Sequence, residues 1–137
     1  MATLPTDDIA LTHILVVSDI GRSRQWYIGV LGADLYREYG DSVVLTFAGA
    51  WLLLVTAGGP TPDKPTITLA PPIDADRRDQ LFTIRVPDCS AAYETLLARG
   101  ASFLTPPVTS GRETRAFMRD PDGHLFEISE YRAEAAG

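Results

Sequence analysis

A chain of 137 residues with 45% hydrophobic and 22% charged residues fits one globular domain, or two small modules that share a core. The formal net charge is −6 and the basic residues form no cluster, which argues against nucleic acid or an anionic membrane as the main partner. A single cysteine, Cys89, excludes an internal disulfide and a thiolate metal cluster.

The first eight residues have neither the basic segment nor the apolar segment of a signal peptide. The longest apolar run, Ala50 to Val55, is far too short to span a membrane. We therefore expect a cytoplasmic protein. Cys89 lies near a predicted helix start, but a packed structural cysteine is a better interpretation than a nucleophile.

The first part of the chain predicts one strand, one helix and three further strands. Apolar and β-branched residues predict the first strand, and Ser18-Asp19 then offers a helix N-cap. The expected elements are a strand over Thr12–Val17, a helix over Ile20–Leu31, and strands over Asp34–Tyr39, Ser42–Phe47 and Trp51–Thr56.

Five of the ten prolines lie between Gly58 and Asp79. Because proline fixes the backbone and removes a hydrogen-bond donor, this stretch is predicted to be a linker. The predicted divisions are a first module over residues 1–57, the linker over 58–79 and a second module over 80–137.

The second module repeats the same order. It predicts a strand over Phe82–Val86, an N-cap at Asp88, a helix over Cys89–Arg99, and strands over Ala101–Leu104 and Thr114–Arg119. A turn with the sequence Asp120-Pro121-Asp122-Gly123 precedes the last strand. In that strand Glu127 points away from Phe126 and Ile128, so its carboxylate needs a cation, a donor or water.

The two modules match residue by residue at several places. Val17-Ser18-Asp19 resembles Val86-Pro87-Asp88, and a tyrosine lies in each helix, Tyr27 and Tyr93. Both tyrosines are expected to pack between helix and sheet with their hydroxyls at the surface. Neither module buries its sheet alone, so the two are expected to share a core. In this alignment Leu53 corresponds to Glu127.

A doubled βαβββ unit, with Val-x-Asp before a Trp-Tyr helix and Asp-Pro-Asp-Gly-His before a glutamate strand, resembles the vicinal oxygen chelate superfamily. This group includes glyoxalase I, bleomycin-resistance proteins and extradiol dioxygenases. The resemblance implies an α+β fold in which the strands of two βαβββ modules form one curled eight-stranded sheet around a cavity, with the helices outside. It also implies a homodimer.

The resemblance further implies a divalent metal held by residues of the first and last strand of each module. Glu127 matches one such position, as metal ligand or general base. Leu53 and the pair Leu81 and Phe82 occupy two others and offer no donor atom. His13 lies one residue from the fourth position, which is Thr12, and without a bulge it points the other way.

The candidate metal residues are therefore His13 and Glu127. For Glu127 we favour the other interpretation, a carboxylate that pairs with an arginine or accepts a hydrogen bond from a hydroxyl. His124, directly after the turn glycine, is expected to be a turn residue or exposed.

Apolar and aromatic residues at the cavity positions favour an organic ligand. The expected ligand-binding residues are Trp51, Leu53, Thr83, Arg85 and Arg115. Three functions remain open. The first is a small-molecule-binding protein of the bleomycin-resistance type that needs no metal, and the second is a metal-dependent lyase, isomerase or dioxygenase acting on vicinal oxygens. The third is a structural or interaction domain, which applies if side chains fill the cavity.

Overall fold

The computed structural model describes residue 4 and residues 7–133. Most of the stretch used against a signal peptide therefore lies outside the described residues. Within these ranges, no helix combines the length and the apolar content needed to cross a membrane. The strands are β1 Thr12–Val16, β2 Asp34–Glu38, β3 Ser42–Phe47, β4 Ala50–Val55, β5 Phe82–Arg85, β6 Ser102–Phe103, β7 Val108–Ser110, β8 Glu113–Arg119 and β9 Leu125–Tyr131, and the helices are α1 Ile20–Trp26 and α2 Cys89–Ala98.

The strands form two sheets with the same connectivity. The first sheet has the order β1-β4-β3-β2, and the second has the order β5-β9-β8-β6 with β7 paired to β8. In each sheet the first strand of the module runs parallel to the last. The α+β class and the doubled βαβββ order agree with the sequence prediction. The expected single eight-stranded sheet is wrong, because β1 and β5 are edge strands of separate sheets.

Aspartate caps begin both helices, as predicted. Asp19 Oδ1 accepts a hydrogen bond from the backbone nitrogen of Arg22 at 2.9 Å, and Asp88 Oδ1 accepts one from that of Ala91 at 3.0 Å. The helix expected to continue to Leu31 changes instead to a π-helical turn over Tyr27–Leu31. In a π-helical turn the backbone N–H donates to the carbonyl oxygen five residues earlier, as Gly32 does to Tyr27, so the turn is wider than that of an α-helix.

The core lies between the two sheets and their helices. It takes alternate residues from β1, β3 and β4, and alternate residues from β8 and β9, including Phe126 and Ile128. Tyr27 and Phe126 link the modules, with ring centroids 5.9 Å apart. Cys89 is fully buried, and burial raises the pKa of its thiol, which suits the structural interpretation of this cysteine.

Two local features differ from the prediction. The chain after Pro106-Pro107 forms the short strand β7, which the sequence did not predict; it pairs with β8, and the Thr109 and Thr114 hydroxyls lie 2.8 Å apart. Tyr27 is also buried, contrary to the expected surface position of its hydroxyl, which donates to Asp120 Oδ2 at 2.7 Å.

Candidate functional site

Each sheet has one face in the shared core and one face that points away from it, here called the outer face. Strand alternation places Leu52 and Leu54 in the core, and so Trp51 and Leu53 on the outer face of the first sheet. In β9, Phe126 and Ile128 are in the core, so Glu127 and Ser129 belong to the outer face of the second sheet.

The register places corresponding residues of the two modules at the same point of each sheet. Ile14 is opposite Leu53 in the first sheet, and Thr83 is opposite Glu127 in the second. The alignment of Leu53 with Glu127, made from the sequence, therefore agrees with the structure. One outer face has an apolar side chain where the other has a carboxylate.

Glu127 has both kinds of partner that we favoured for it. The Thr83 hydroxyl donates to Glu127 Oε1 at 3.3 Å, and Arg115 Nη1 lies 3.9 Å from Glu127 Oε2. The same Arg115 nitrogen lies 3.3 Å from Glu113 Oε1. The Arg115 side chain is about half exposed (53%), so solvent screens these ion pairs.

Arg85 is not the arginine that pairs with Glu127. Its guanidinium carbon lies 5.8 Å from the centroid of the Tyr131 ring, a cation–π contact. Among the described residues it has no carboxylate partner within salt-bridge distance. Its charge is therefore available to an acidic ligand group.

Ser129 is a further polar residue of this face, which was not among the predicted binding residues. It is opposite Arg85 in β5 and Arg115 in β8, and it is fully buried. Its hydroxyl has no hydrogen-bond partner within the described chain. Its spacing of two residues from Glu127 was the sequence signal that could have found it.

The outer face of the first sheet is apolar and aromatic. Trp51 is half-buried and meets the Tyr36 ring edge-on, with centroids 4.8 Å apart. Ile14 is 51% exposed on the same face. Leu53 lies between them in register, opposite Ile14 and Val44.

His13 lies apart from Glu127. It is opposite Leu52 in the register, and its ring meets the Phe82 ring at 4.4 Å. Phe82 in turn stacks on Phe126 at 4.6 Å, and the next residue, Glu127, points to the opposite face. Burial, and secondarily the charge of His124, lower the pKa of His13.

The residues present do not fit a divalent metal. The positions that the resemblance assigns to ligands are occupied by Thr12, Leu53, Leu81 and Glu127, of which only Glu127 is a strong donor. Catalytic metal sites usually have three protein ligands. In the described part of the chain, no three side chains among histidine, cysteine, aspartate and glutamate are grouped to hold an ion.

A cavity of about 320 Å³ lies between the two modules, and the predicted binding residues Thr83 and Arg85 line it together with aromatic residues of the core edge. Thr83 and Arg85 also belong to the outer face of the second sheet, together with Arg115 and Glu127. Trp51 and Leu53 lie on the outer face of the first sheet. The structure therefore divides the predicted binding residues between two faces of one chain.

Comparison with known proteins gives a family and a fold. The family model of the Glyoxalase/Bleomycin resistance protein/Dioxygenase superfamily matches residues 10–128. No curated protein matches the chain.

Three solved structures illustrate the likeness in fold. A glyoxalase/bleomycin resistance protein/dioxygenase from Nocardioides has a TM-score of 0.77 at 22% identity, over 100% of this chain and 89% of that one. The fosfomycin resistance protein FosX from Listeria monocytogenes has a TM-score of 0.66 at 15% identity, over 96% and 95%. TioX from Micromonospora sp. ML1 has a TM-score of 0.66 at 20% identity, over 90% and 99%. With its family model and its fold in agreement, this chain belongs to the Glyoxalase/Bleomycin resistance protein/Dioxygenase superfamily.

Proposed function

We propose that this protein binds a small organic ligand between two copies of the chain. The apolar outer face of the first sheet in one copy lies against the polar outer face of the second sheet in the other. The observation that carries the proposal is that both faces point away from the core of their own chain, one with Trp51 and Leu53, the other with Glu127 and Arg115.

A second copy of the chain supplies the opposite wall of the binding site, which one chain lacks at these faces. Binding sites for organic ligands are concave and cover most of the ligand surface, whereas a single sheet face covers one side only. The exposed Ile14 and Tyr36 belong to an apolar surface of the kind that another chain or a ligand usually covers. A homodimer in which each ligand contacts both copies satisfies both requirements.

The side chains indicate the class of ligand. Trp51 and Tyr36 present aromatic rings that suit an apolar or aromatic body. Arg85, which has no carboxylate partner among the described residues, suits an acidic group that its guanidinium binds with two hydrogen bonds. The unpartnered hydroxyl of Ser129 lies beside it in the sheet.

Glu127 has a positioning role in this proposal. Its carboxylate accepts a hydrogen bond from the Thr83 hydroxyl and attracts the Arg115 guanidinium. Glu127 thereby orients the Thr83 and Arg115 side chains on this face. A metal is not needed for this function, since three of the four positions expected for ligands carry Thr12, Leu53 and Leu81. The protein then acts as a binder, like a bleomycin-resistance protein, rather than as a metal-dependent lyase or dioxygenase.

The test combines a ligand screen with two matched variants. Bleomycin, fosfomycin and a panel of aromatic carboxylic acids are screened by thermal shift, and hits are measured by calorimetry. We expect at least one hit whose affinity falls about tenfold or more in Trp51→Ala and in Arg85→Met, because each removes a direct contact. Arg77→Met, an exposed arginine of the linker, is the control and leaves the affinity unchanged.

Two results would contradict the proposal. One is a metal bound at one per subunit, measured by elemental analysis, on which ligand binding depends. The other is a ligand that binds Arg85→Met and Trp51→Ala as tightly as the unaltered protein.

A further inference from the structure

A small polar cavity lies at the junction of the linker with β1, β5 and the start of β9. Its volume is about 160 Å³, and both histidines of the protein line it, His13 and His124. The end of the linker supplies Arg78 and Asp79 to the same cavity, and the next residue, Gln80, also lines it. Neither Trp51 nor Glu127 lines it, so it is distinct from the site proposed above.

Arg78 is the unusual group in this cavity. Its side chain is half-buried, and its Nε atom is buried without a hydrogen-bond partner in the described chain. No carboxylate of the described residues lies within salt-bridge distance of it. A buried N–H of a charged group that has no hydrogen-bond acceptor destabilises the fold. A bound ligand that supplies the acceptor removes this penalty.

Of the two histidines in the cavity wall, only His13 keeps a ring nitrogen that can donate to a ligand. His124 Nε2 lies 2.8 Å from the Val16 carbonyl oxygen, and because a carbonyl only accepts, this nitrogen carries the proton. His124 is buried, so the alternative that it is exposed is wrong. The ring nitrogens of His13 make no hydrogen bond to a described residue, which leaves them free for a ligand in the cavity.

The linker is held in place by the end of β8 and by the turn before β9. Arg119 Nη1 donates to the Ala75 carbonyl oxygen at 2.6 Å, and its Nη2 lies 2.6 Å from Asp76 Oδ1. Gly123 lies directly against Ala75, where a Cβ would come within 2.9 Å of the Ala75 Cβ. These contacts fix the backbone two and three residues before Arg78.

We propose that this cavity binds a small oxyanion, a carboxylate or a phosphate, held by the Arg78 guanidinium beside His13. Its volume is below the roughly 300 Å³ at which sites for drug-sized ligands begin, so a small anion fits and a large ligand does not. Asp79 lines the same cavity and opposes an anion, which makes it the residue that tunes the affinity.

The protein has only two histidines, so their ring proton signals in an NMR spectrum report on this cavity directly. Acetate and phosphate are titrated separately at fixed pH and fixed ionic strength. We expect saturable shifts of both histidine signals with at least one anion, and the stronger of the two identifies the class of oxyanion.

Three variants test the role of Arg78. Arg78→Gln is expected to weaken binding about tenfold or more, whereas Arg77→Gln, next to it in sequence but outside the cavity, leaves binding unchanged. Asp79→Asn is expected to strengthen binding, and this gain does not depend on the stability of the Arg78 variant. Arg85→Met leaves this site intact, so failure here and failure of the ligand proposal are separate results.

The proposal is overturned if the histidine signals move no more with acetate or phosphate than with chloride. It is also overturned if Arg78→Gln and Arg77→Gln bind the anion equally, or if Asp79→Asn weakens binding.

Discussion

Apart from the additional strand β7, the two sheets have the same strand order, yet their outer faces carry different chemistry. Ile14 and Leu53 form an apolar pair in the first sheet at the position where Thr83 and Glu127 form a polar pair in the second. The core faces of both sheets are apolar. The backbone of the repeat is therefore determined by its core and its turns, which leaves the outer faces free to differ.

The turns before β4 and β9 show the same division. Gly49 and Gly123 both have a positive φ, 78° and 93°, at corresponding places. Among the hydrogen bonds of residues 7–133, side-chain bonds to other elements occur at the second turn and not at the first. Asp122 Oδ1 accepts from the Ser18 nitrogen at 3.0 Å, and Asp120 accepts from the Tyr27 hydroxyl. The second turn thus joins the two modules, whereas Gly49 has open space around it.

The largest expected effect on stability distinguishes the core face of strand β4 from its outer face. Leu54 is fully buried and Leu53, the next residue, is half-buried on the outer face. We expect Leu54→Ala to lower the free energy of unfolding by about 2–5 kcal/mol, because it leaves a cavity in the core. The Leu53→Ala loss should be smaller by about 1 kcal/mol or more, since less area is lost. Urea unfolding of both variants checks this, and equal losses would mean that the outer face is as buried as the core.

The next effect compares the two turn glycines. Gly123→Ala places a Cβ 2.9 Å from the Ala75 Cβ in a positive-φ residue, so strain and overlap add to a loss of about 2–4 kcal/mol. Gly49→Ala has the same backbone strain with nothing within 4 Å, and about 1–2 kcal/mol is expected. Thermal and urea unfolding measure both; a Gly49 loss as large as that of Gly123 would show that the linker does not press on the second turn.

The two helix tyrosines give a smaller contrast. Tyr27→Phe removes the 2.7 Å hydrogen bond to Asp120 and should cost about 1.5–3 kcal/mol, since the acceptor is a buried carboxylate. The Tyr93 hydroxyl makes no hydrogen bond to a described residue, so Tyr93→Phe should change stability by no more than about 0.5 kcal/mol. If urea unfolding gives the two variants similar losses, the tie between modules through Tyr27 is not a stabilising one.

The smallest effect is a pH dependence at the same contact. Burial, as the largest cause, raises the pKa of Asp120 above its ordinary value of about 4, against the opposing effect of His124 and its hydrogen bonds. A raised folded pKa means that the contribution of Asp120 is fully present below about pH 4 and is lost as the pH rises through the folded pKa. The stability of the unaltered protein relative to Asp120→Asn should therefore fall over that range. Urea unfolding of both proteins across a pH series measures it, and a relative stability that rises with pH would contradict the burial argument.

Local patterns in the sequence predicted much of the fold. Asp19 and Asp88 were recognised as helix caps because a cap depends on residues only a few positions away. The alternation of Glu127 with Phe126 and Ile128 predicted correctly which side chains share a face.

Contacts between distant parts of the chain were not predictable in the same way. The Tyr27–Asp120 bond joins residues 93 positions apart, and Arg119 reaches Ala75 across 44 positions. Strand β7 follows two prolines that predict a break, and its pairing with β8 outweighs that local preference. Whether the Ser129 hydroxyl finds a hydrogen-bond partner depends on the residues that cover it. Those residues come from other strands, so the local sequence does not predict it.

The central claim, that each ligand lies between the first sheet of one copy and the second sheet of another, is tested most directly by mixing two defective variants. Trp51→Ala and Arg85→Met each weaken both sites of their own dimer. A mixed dimer, formed by unfolding and refolding the two together, has one site with both changes and one site with neither. If the ligand lies between the two copies, calorimetry of the mixture recovers a fraction of sites with the affinity of the unaltered protein. If every site of the mixture stays weak, both faces contact the ligand within one chain and the claim is wrong.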